Sequence, residues 1–384
     1  MLVELSSDQE ALRDTTARYL DNEMPVDRVR GLRDDPAGYE PAYWAKGAEL
    51  GWTSLLVSEE HGGGTVSGFA LQDFALVAHE FGAHAAPGPL VPVNVVASAL
   101  DAVGSPAQRA HIDKLIAGTA IATWCFGEPV PHDRFDEGTL EIRPEGSELV
   151  ISGVKRPVES AAQADHLLVT GRTADGRSQV LVPADTPGVS IQPLDTVDLT
   201  RRFSIVTFTD VRVPLDAAVG DLGAAAGQIE RQAQLAILAH NAEAIGAMQR
   251  AFGMTKDWAF DRYSFGRPLA SYQEIKHRFA DLLSWLEASH AINDAAIAAF
   301  DAGAPGTAEL VSAAKAYVGE QGSELAQDCV QLHGGIGVTF EHDLHLYLRR
   351  IILNRTLYGT PAEHRRRVGG LLVDTSRTDR GEQQ

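Results

Sequence analysis

Two cysteines in 384 residues are too few to staple a fold. Cys125 and Cys329 lie far apart in apolar surroundings, with no CxxC and no Cys/His spacing, so neither a disulfide framework nor a zinc site is expected. Both read as buried thiols. Basic charge is also scarce: 33 Lys and Arg face 52 Asp and Glu, and the net charge of −19 opposes nonspecific binding to nucleic acid or anionic lipid. No apolar run approaches the length of a membrane span, and no charged-then-apolar leader opens the chain. A cytoplasmic protein without nucleic-acid or membrane partners is therefore expected. No internal repeat is present. Against these absences stands a hydrophobic content of 44%, enough for a large core spread over two or three structural units.

Residues 1–118 read as a helical domain. Ser7-Asp8-Gln9-Glu10 has the capping-box pattern, and Leu12, Tyr19 and Leu20 follow on one side. In EEHGGGTVSG, residues 59–68, no strand feeds directly into a GxGxxG and a helix, so the glycines predict a tight loop and not a phosphate cradle. Residues 119–220 change texture, to short runs rich in Val, Ile, Thr and Phe. TAIATWCF, ELVISGVKR, ADHLLVTGR, SQVLVPA, VSIQPL and FSIVTFTDVRV predict strands of a compact antiparallel sandwich or barrel. Residues 221–384 turn helical again. Ser271-Tyr272-Gln273-Glu274 and Thr360-Pro361-Ala362-Glu363 are two further boxes, and Ile275, Phe279, Leu282, Leu283 and Leu286 mark one face. A four-helix bundle absorbs these segments, and SRTDRGEQQ at the end is expected to fray. The fold class is thus α+β, multidomain: an N-terminal helical domain, a small central antiparallel β domain and a C-terminal four-helix bundle.

One residue in the bundle raises a question of electrostatics. Between Gln232 and Gln249 the only formal charge is Glu243. Leu235, Leu238, Ile245, Met248 and Phe252 form a core stripe, and Glu243 falls off it, next to Ala239 and Gly246. That face is narrow and would let something flat approach. A carboxylate so placed is solvated, paired or kept for chemistry.

Two stretches then carry a resemblance: RYSFGRPLASYQEIKHRFADL at 262–282 and QLHGGIGVTFEHDLHLYLRR at 331–350. They resemble the RxxFG and QxxGGxG signatures of the acyl-CoA dehydrogenase family. LGWTSLLVSEEHGGG at 50–64 and TFTDVRVP at 207–214 resemble two further family segments, in the family's order. The resemblance covers nearly the whole chain and implies the same three-part fold. It also implies FAD as cofactor, an acyl-CoA substrate, electron transfer to an electron-transfer flavoprotein, and a tetramer with each flavin held across a subunit boundary. In it, Arg262, Ser264, Phe265 and Gln273 match positions that reach a neighbour's FAD. Gln331, Gly334 and Gly335 match a second such contact. Thr360 matches a flavin contact as well, although a capping role explains it without a ligand.

The family's usual base is missing. LYGTPAEH has Tyr358 where the family's YEGT places glutamate, and the alternative position, 26 residues before Arg262, is Ala236. Glu243 lies 19 residues before Arg262, in a pattern AExxG, and resembles the arrangement of an actinobacterial branch that handles steroid side-chain and other bulky CoA esters. The resemblance makes Glu243 the base for the α-proton, and the Tyr358 backbone N–H a donor to the thioester oxygen. Two flavin-facing motifs depart from the family: TEPxxGSD appears as GEPVPHDRF at 127–135, and KxWIT as Lys155-Arg156-Pro157-Val158-Glu159. The rival expectation is therefore a non-flavin partner subunit of an α₂β₂ heterotetramer. Asp198-Leu199-Thr200-Arg201-Arg202 resembles a segment of the active branch and weighs against it. Nitroalkane oxidation and aromatic hydroxylation lack specific support. A metal site is not expected either, since His342 and His345 have no third ligand nearby.

Overall fold

The computed structural model describes residues 4–129, 135 and 137–381, with side chains through Val373. They pack as two compact units, one from the described parts of Met1–Val29, Ala75–Ala86 and Ile237–Gln384, the other from Arg30–Phe74 and Pro87–Ala236.

Helices α1 (Ser7–Glu23), α2 (Val26–Gly31), α3 (Pro41–Glu49), α4 (Ala70–Ala83), α5 (Leu90–Val103), α6 (Pro106–Arg109) and α7 (Ile112–Ile116) come first. The cap of α1 is Ser6, one residue before the expected Ser7. Its hydroxyl accepts from the Gln9 N–H at 3.2 Å, and the Gln9 side chain accepts from the Ser6 N–H at 3.1 Å. Gln9 is the residue that reaches back, so it decides which serine caps. The glycine run is a tight loop: Gly62 has φ +83°, and a Cβ on Gly63 would stand 2.2 Å from the Val57 carbonyl oxygen.

The sheet comprises β1 (Ala122–Cys125), β2 (Glu141–Glu145), β3 (Glu148–Glu159), β4 (His166–Thr173), β5 (Gly176–Pro183), β6 (Val189–Leu194) and β7 (Phe203–Pro214). Its order is β1-β4-β2-β3-β7-β6, with β5 on β4. The six expected strands are present, and β2 is an addition. Its sequence EIRPE buries only Ile142, so it has too little alternation to be read as a strand. The sheet is mixed: β1 and β2 run parallel to β4, and the other pairs are antiparallel. Its core is a row of aliphatic and aromatic side chains, including Leu149, Ile151, Val169, Val180, Val206 and Phe208.

The remains of the two departed motifs meet inside this sheet unit. Lys155 on β3 is fully buried, donates to the Phe126 carbonyl at 3.1 Å and forms an ion pair with Glu128. Glu128 also accepts from the hydroxyl of Thr139 at 2.6 Å and from the Leu140 N–H at 3.2 Å, pinning the chain that leads into β2. Burial drives the Lys155 ammonium down to about 8, and Glu128 opposes that shift. Positions 130–134 of the first motif lie outside the described residues.

The second half consists of α8 (Ala226–Asp261), a hairpin of β8 (Tyr263–Ser264) and β9 (Arg267–Pro268), then α9 (Gln273–Asp301), α10 (Thr307–His333), α11 (Leu344–Thr356) and α12 (Pro361–Gly381). The α10 helix packs against α9, α11 and α12, which makes it the central rod of the bundle. Only one of the two expected boxes forms here. Ser271 sits in a tight turn and donates to the Pro268 carbonyl at 2.6 Å, and the residue preceding α9 is Tyr272, with no side-chain cap. At Thr360 the box closes: the Thr360 N–H donates to Glu363 at 2.7 Å, and the Thr360 oxygen accepts from the Glu363 N–H at 3.4 Å. The last helix, α12, continues to Gly381.

Replacing Glu128 with Gln strips Lys155 of its counter-charge and is expected to cost about 3–5 kcal/mol. Urea unfolding of the purified chain measures it, and a paired Glu128→Gln, Lys155→Met variant should recover much of the loss.

Candidate active site

Glu243 is 4% exposed. Around it the bundle unit assembles a polar cluster from two helices. Arg350 Nη1 on α11 donates to Oε1 at 2.6 Å; Asn354 Nδ2, one turn later on α11, donates to Oε2 at 2.9 Å; His240 Nδ1 on α8 lies 3.3 Å from Oε2. Arg350 and Asn354 are four residues apart and so share a helix face. Arg350 reaches further, to the carbonyl oxygens of Ala86 at 3.1 Å and Ala85 at 3.4 Å. Asn354 also donates to the His240 carbonyl at 3.2 Å, and its own carbonyl accepts from the buried Lys315 ammonium. Of the three fates open to this carboxylate, pairing is the one observed.

The narrow face beside Glu243 is filled by protein. A Cβ on Gly82 of α4 would stand 1.8 Å from the Glu243 carbonyl oxygen, and one on Gly246 would stand 2.0 Å from that of His79. Two glycines thus let α4 and α8 touch backbone to backbone. The small residues serve this helix contact and do not leave a slot for a flat ligand. From Leu235 to Met248 the helix is buried all round, so the expected stripe has no solvent face opposite it.

Tyr358 follows α11 in left-handed conformation, with φ +57°. Its ring stacks on that of His240, centroids 5.8 Å apart, so His240 touches both Glu243 and Tyr358. His364 Nε2 donates to the Tyr358 carbonyl at 2.8 Å and fixes the turn. The Thr360 hydroxyl lies 2.7 Å from Glu363, in the box.

The motif residues of 262–273 and 331–335 are joined through Trp258. The Arg262 guanidinium lies 6.0 Å from the Trp258 ring, and Trp258 stacks on His333, centroids 5.4 Å apart, directly before Gly334. Arg262, Gln273, Gln331, Gly334 and Gly335 are exposed, and Ser264 is half-buried. Phe265 is 98% exposed, at φ +50° in the hairpin. The hairpin is braced from within: the Tyr272 hydroxyl donates to the Ser264 carbonyl at 2.8 Å, and Arg267 lies over the Tyr272 ring at 3.7 Å. Gln273 Nε2 lies 2.9 Å from His277 Nε2. A Cβ on Gly334 or Gly335 would meet nothing within 4 Å. Space is therefore open for a group approaching from outside, as a cross-subunit FAD contact requires. His342 Nδ1 accepts from the Leu344 N–H at 3.2 Å, and His345 packs on Phe340. Among the described residues no group of three His, Cys, Asp or Glu is placed to hold a metal ion. No described helix is long and apolar enough to cross a membrane.

Sequence reasoning missed Arg350, Asn354 and His240. The only signal was a pair of polar residues four apart in RRIILN, which does not tell which helix they face.

Two expectations follow for this cluster. Arg350→Met leaves Glu243 charged and buried with weaker partners, and should cost about 3–5 kcal/mol in urea unfolding. Burial first of all pushes the His364 ring down to about 4, whereas an unfolded histidine titrates near 6.5. The neutral folded ring costs nothing above pH 6.5; as pH falls toward 4 the unfolded chain takes up the extra proton, and stability is lost. His364→Gln, which keeps a donor for Tyr358, should flatten the fall of Tm between pH 7 and pH 4.

Comparison with known proteins agrees with this geometry. Residues 6–119 match the acyl-CoA dehydrogenase N-terminal domain, and residues 228–371 match the acyl-CoA dehydrogenase C-terminal domain. The acyl-CoA dehydrogenase IpdE2 of Mycolicibacterium smegmatis is 31% identical over 367 residues, which is 95% of this chain and 98% of that one. A variant of the Tcur3481-Tcur3483 steroid ACAD superposes with a TM-score of 0.87 at 26% identity, covering 96% of this chain and 98% of that chain. The ChsE4-ChsE5 complex of Mycobacterium tuberculosis superposes with a TM-score of 0.88 at 24% identity, covering 97% and 99%. Fold, motif order and relatives converge, and the chain belongs to the acyl-CoA dehydrogenase family of oxidoreductases.

Proposed function

We propose that this chain takes part in FAD-dependent α,β-dehydrogenation of a bulky, steroid-like acyl-CoA thioester in the cytoplasm, as one subunit of a tetramer that passes electrons to an electron-transfer flavoprotein. The observation that carries the reading is the outward-facing motif pair: Arg262, Phe265, Gln331, Gly334 and Gly335 are exposed around Trp258. None of them is consumed by the chain's own core. FAD, when bound, supplies the hydride acceptor. Arg262 suits a pyrophosphate, the adjacent glycines suit close backbone approach, and Phe265 presents an aromatic face. Names among the relatives support the substrate class, since one solved structure is described as a steroid ACAD.

Within that reading Glu243 takes the α-proton and the Tyr358 N–H steadies the thioester oxygen. His240, in contact with both residues, would hold their relative positions. For Glu243 to act as a base, a carboxylate oxygen must be released from Arg350, or from Asn354 and His240.

That requirement favours a second reading. Here Glu243 anchors the bundle, and the chain completes the flavin site of a related catalytic subunit in an α₂β₂ assembly. Two solved structures similar to this chain bear the names of protein pairs, Tcur3481-Tcur3483 and ChsE4-ChsE5, which supports the heteromer. In this case Glu128 and Lys155 serve only to brace the sheet.

Flavin content separates the two readings. The chain purified alone should carry about one FAD if it is autonomous, and almost none, until a related subunit is added, if it completes another chain's site. Glu243→Gln then tests the base in the flavin-loaded assembly. A loss of about 10²–10⁴ in the rate of flavin reduction is expected for a general base. Lowered stability with an unchanged rate identifies an anchor.

A further inference from the structure

The sheet unit contains a polar network that no motif accounts for. Thr170 on β4 and Gln179 on β5 are cross-strand neighbours, and strand alternation turns them away from the core face that holds Val169 and Val180. Gln232, in the second turn of α8, meets Gln179 there. Thr170 is fully buried, Gln179 is 1% exposed and Gln232 is 2% exposed. All three belong to one compact unit.

The hydrogen bonds run in a chain. The Trp124 indole N–H donates to the Thr170 hydroxyl oxygen at 2.7 Å; Gln179 Nε2 donates to the same oxygen at 3.1 Å and to Gln232 Oε1 at 2.7 Å. Two amide atoms are left over: Gln179 Oε1 and Gln232 Nε2 are buried and have no hydrogen-bond partner among the described residues. The nitrogen and oxygen of an amide can exchange places. Turning one amide alone would set like atoms against each other. Turning both keeps every bond and gives the Thr170 hydroxyl proton an acceptor, but leaves Gln179 Nε2 and Gln232 Oε1 outermost instead. Either way one donor and one acceptor remain.

Buried polar atoms are costly when unmet, because the water they give up is not replaced. The inner atoms of the two planar amides are joined at 2.7 Å, so the outer ones are at most about 7 Å apart. We propose that the amide pair is a binding site for one ordered water, which accepts from one amide, donates to the other and so ties α8 to the sheet. The chemistry of the pair selects it. An anion only accepts and an ammonium only donates, neither would find a counter-charge on these side chains, and an apolar group does neither. A hydroxyl does both, and enclosure restricts it to the smallest one. The site is independent of whether the chain carries its own flavin.

A high-resolution crystal structure of the full chain tests it. A single density peak is expected within about 2.6–3.2 Å of the outer atom of each amide. An empty gap overturns the proposal, and so does an amide pair closed on itself by two hydrogen bonds. Stability gives a second readout. Gln232→Met leaves Gln179 with an unmet polar atom and should lower Tm by about 4 °C. Gln179→Met combined with Gln232→Met removes both ends of the bridge and should recover most of that loss. A Gln232→Met chain as stable as the parent overturns the proposal, as does a double variant less stable than the single one.

Discussion

A charge taken out of water must be met by another charge or by several hydrogen bonds, and the bundle unit is organised around one such obligation. Glu243 is buried, so α11 has to bring Arg350 and Asn354 against it. Arg350 is buried in turn, and its remaining N–H groups have to find the carbonyls of Ala85 and Ala86 beyond α4. Lys315 on α10 meets the carbonyl of Asn354. Helices α8, α10 and α11 and the end of α4 are thereby held in one register by polar contacts with fixed geometry, which apolar packing alone would not impose.

The sheet unit repeats the device on a smaller scale. Lys155 and Glu128 pair in its interior, and Glu128 spends its other acceptor sites on the chain entering β2. The residues that carry the family resemblance most clearly are treated in the opposite way. Arg262, Phe265, Gln331 and Gly334 are left outside, supported from below by Trp258 and His333. Charge used for architecture is buried and paired, whereas charge available to a ligand or neighbour is held at the surface. Glu243 stands on the architectural side of that division by its geometry, which is why its chemistry must be decided by rate and not by position alone.

Much of the fold was legible in the chain. Period-two runs such as FSIVTFTDVRV and SQVLVPA became strands, and the apolar stretch around Leu235 to Met248 became helix. Where reading fell short, the cause was local. EIRPE had no alternation to mark β2, because the strand buries one side chain and is held by its neighbours on either edge. Ser271 had the spacing of a cap, but a turn at Pro268 claimed its hydroxyl. Gly246 was legible as a small residue beside Glu243; that α4 would fill the space was not, because the partner glycine, Gly82, lies more than a hundred residues earlier.

The sequence by itself determined the order of helices, strands and bundle, the motif residues, and the presence of one isolated carboxylate in an apolar helix, because periodicity, turn residues and motif spacing are local properties. Only the tertiary structure decided what that carboxylate meets. Arg350 is 107 positions from Glu243, and Ala85 is 265 from Arg350. Pairing at such separations depends on how whole helices pack, and no local pattern encodes which faces will come together.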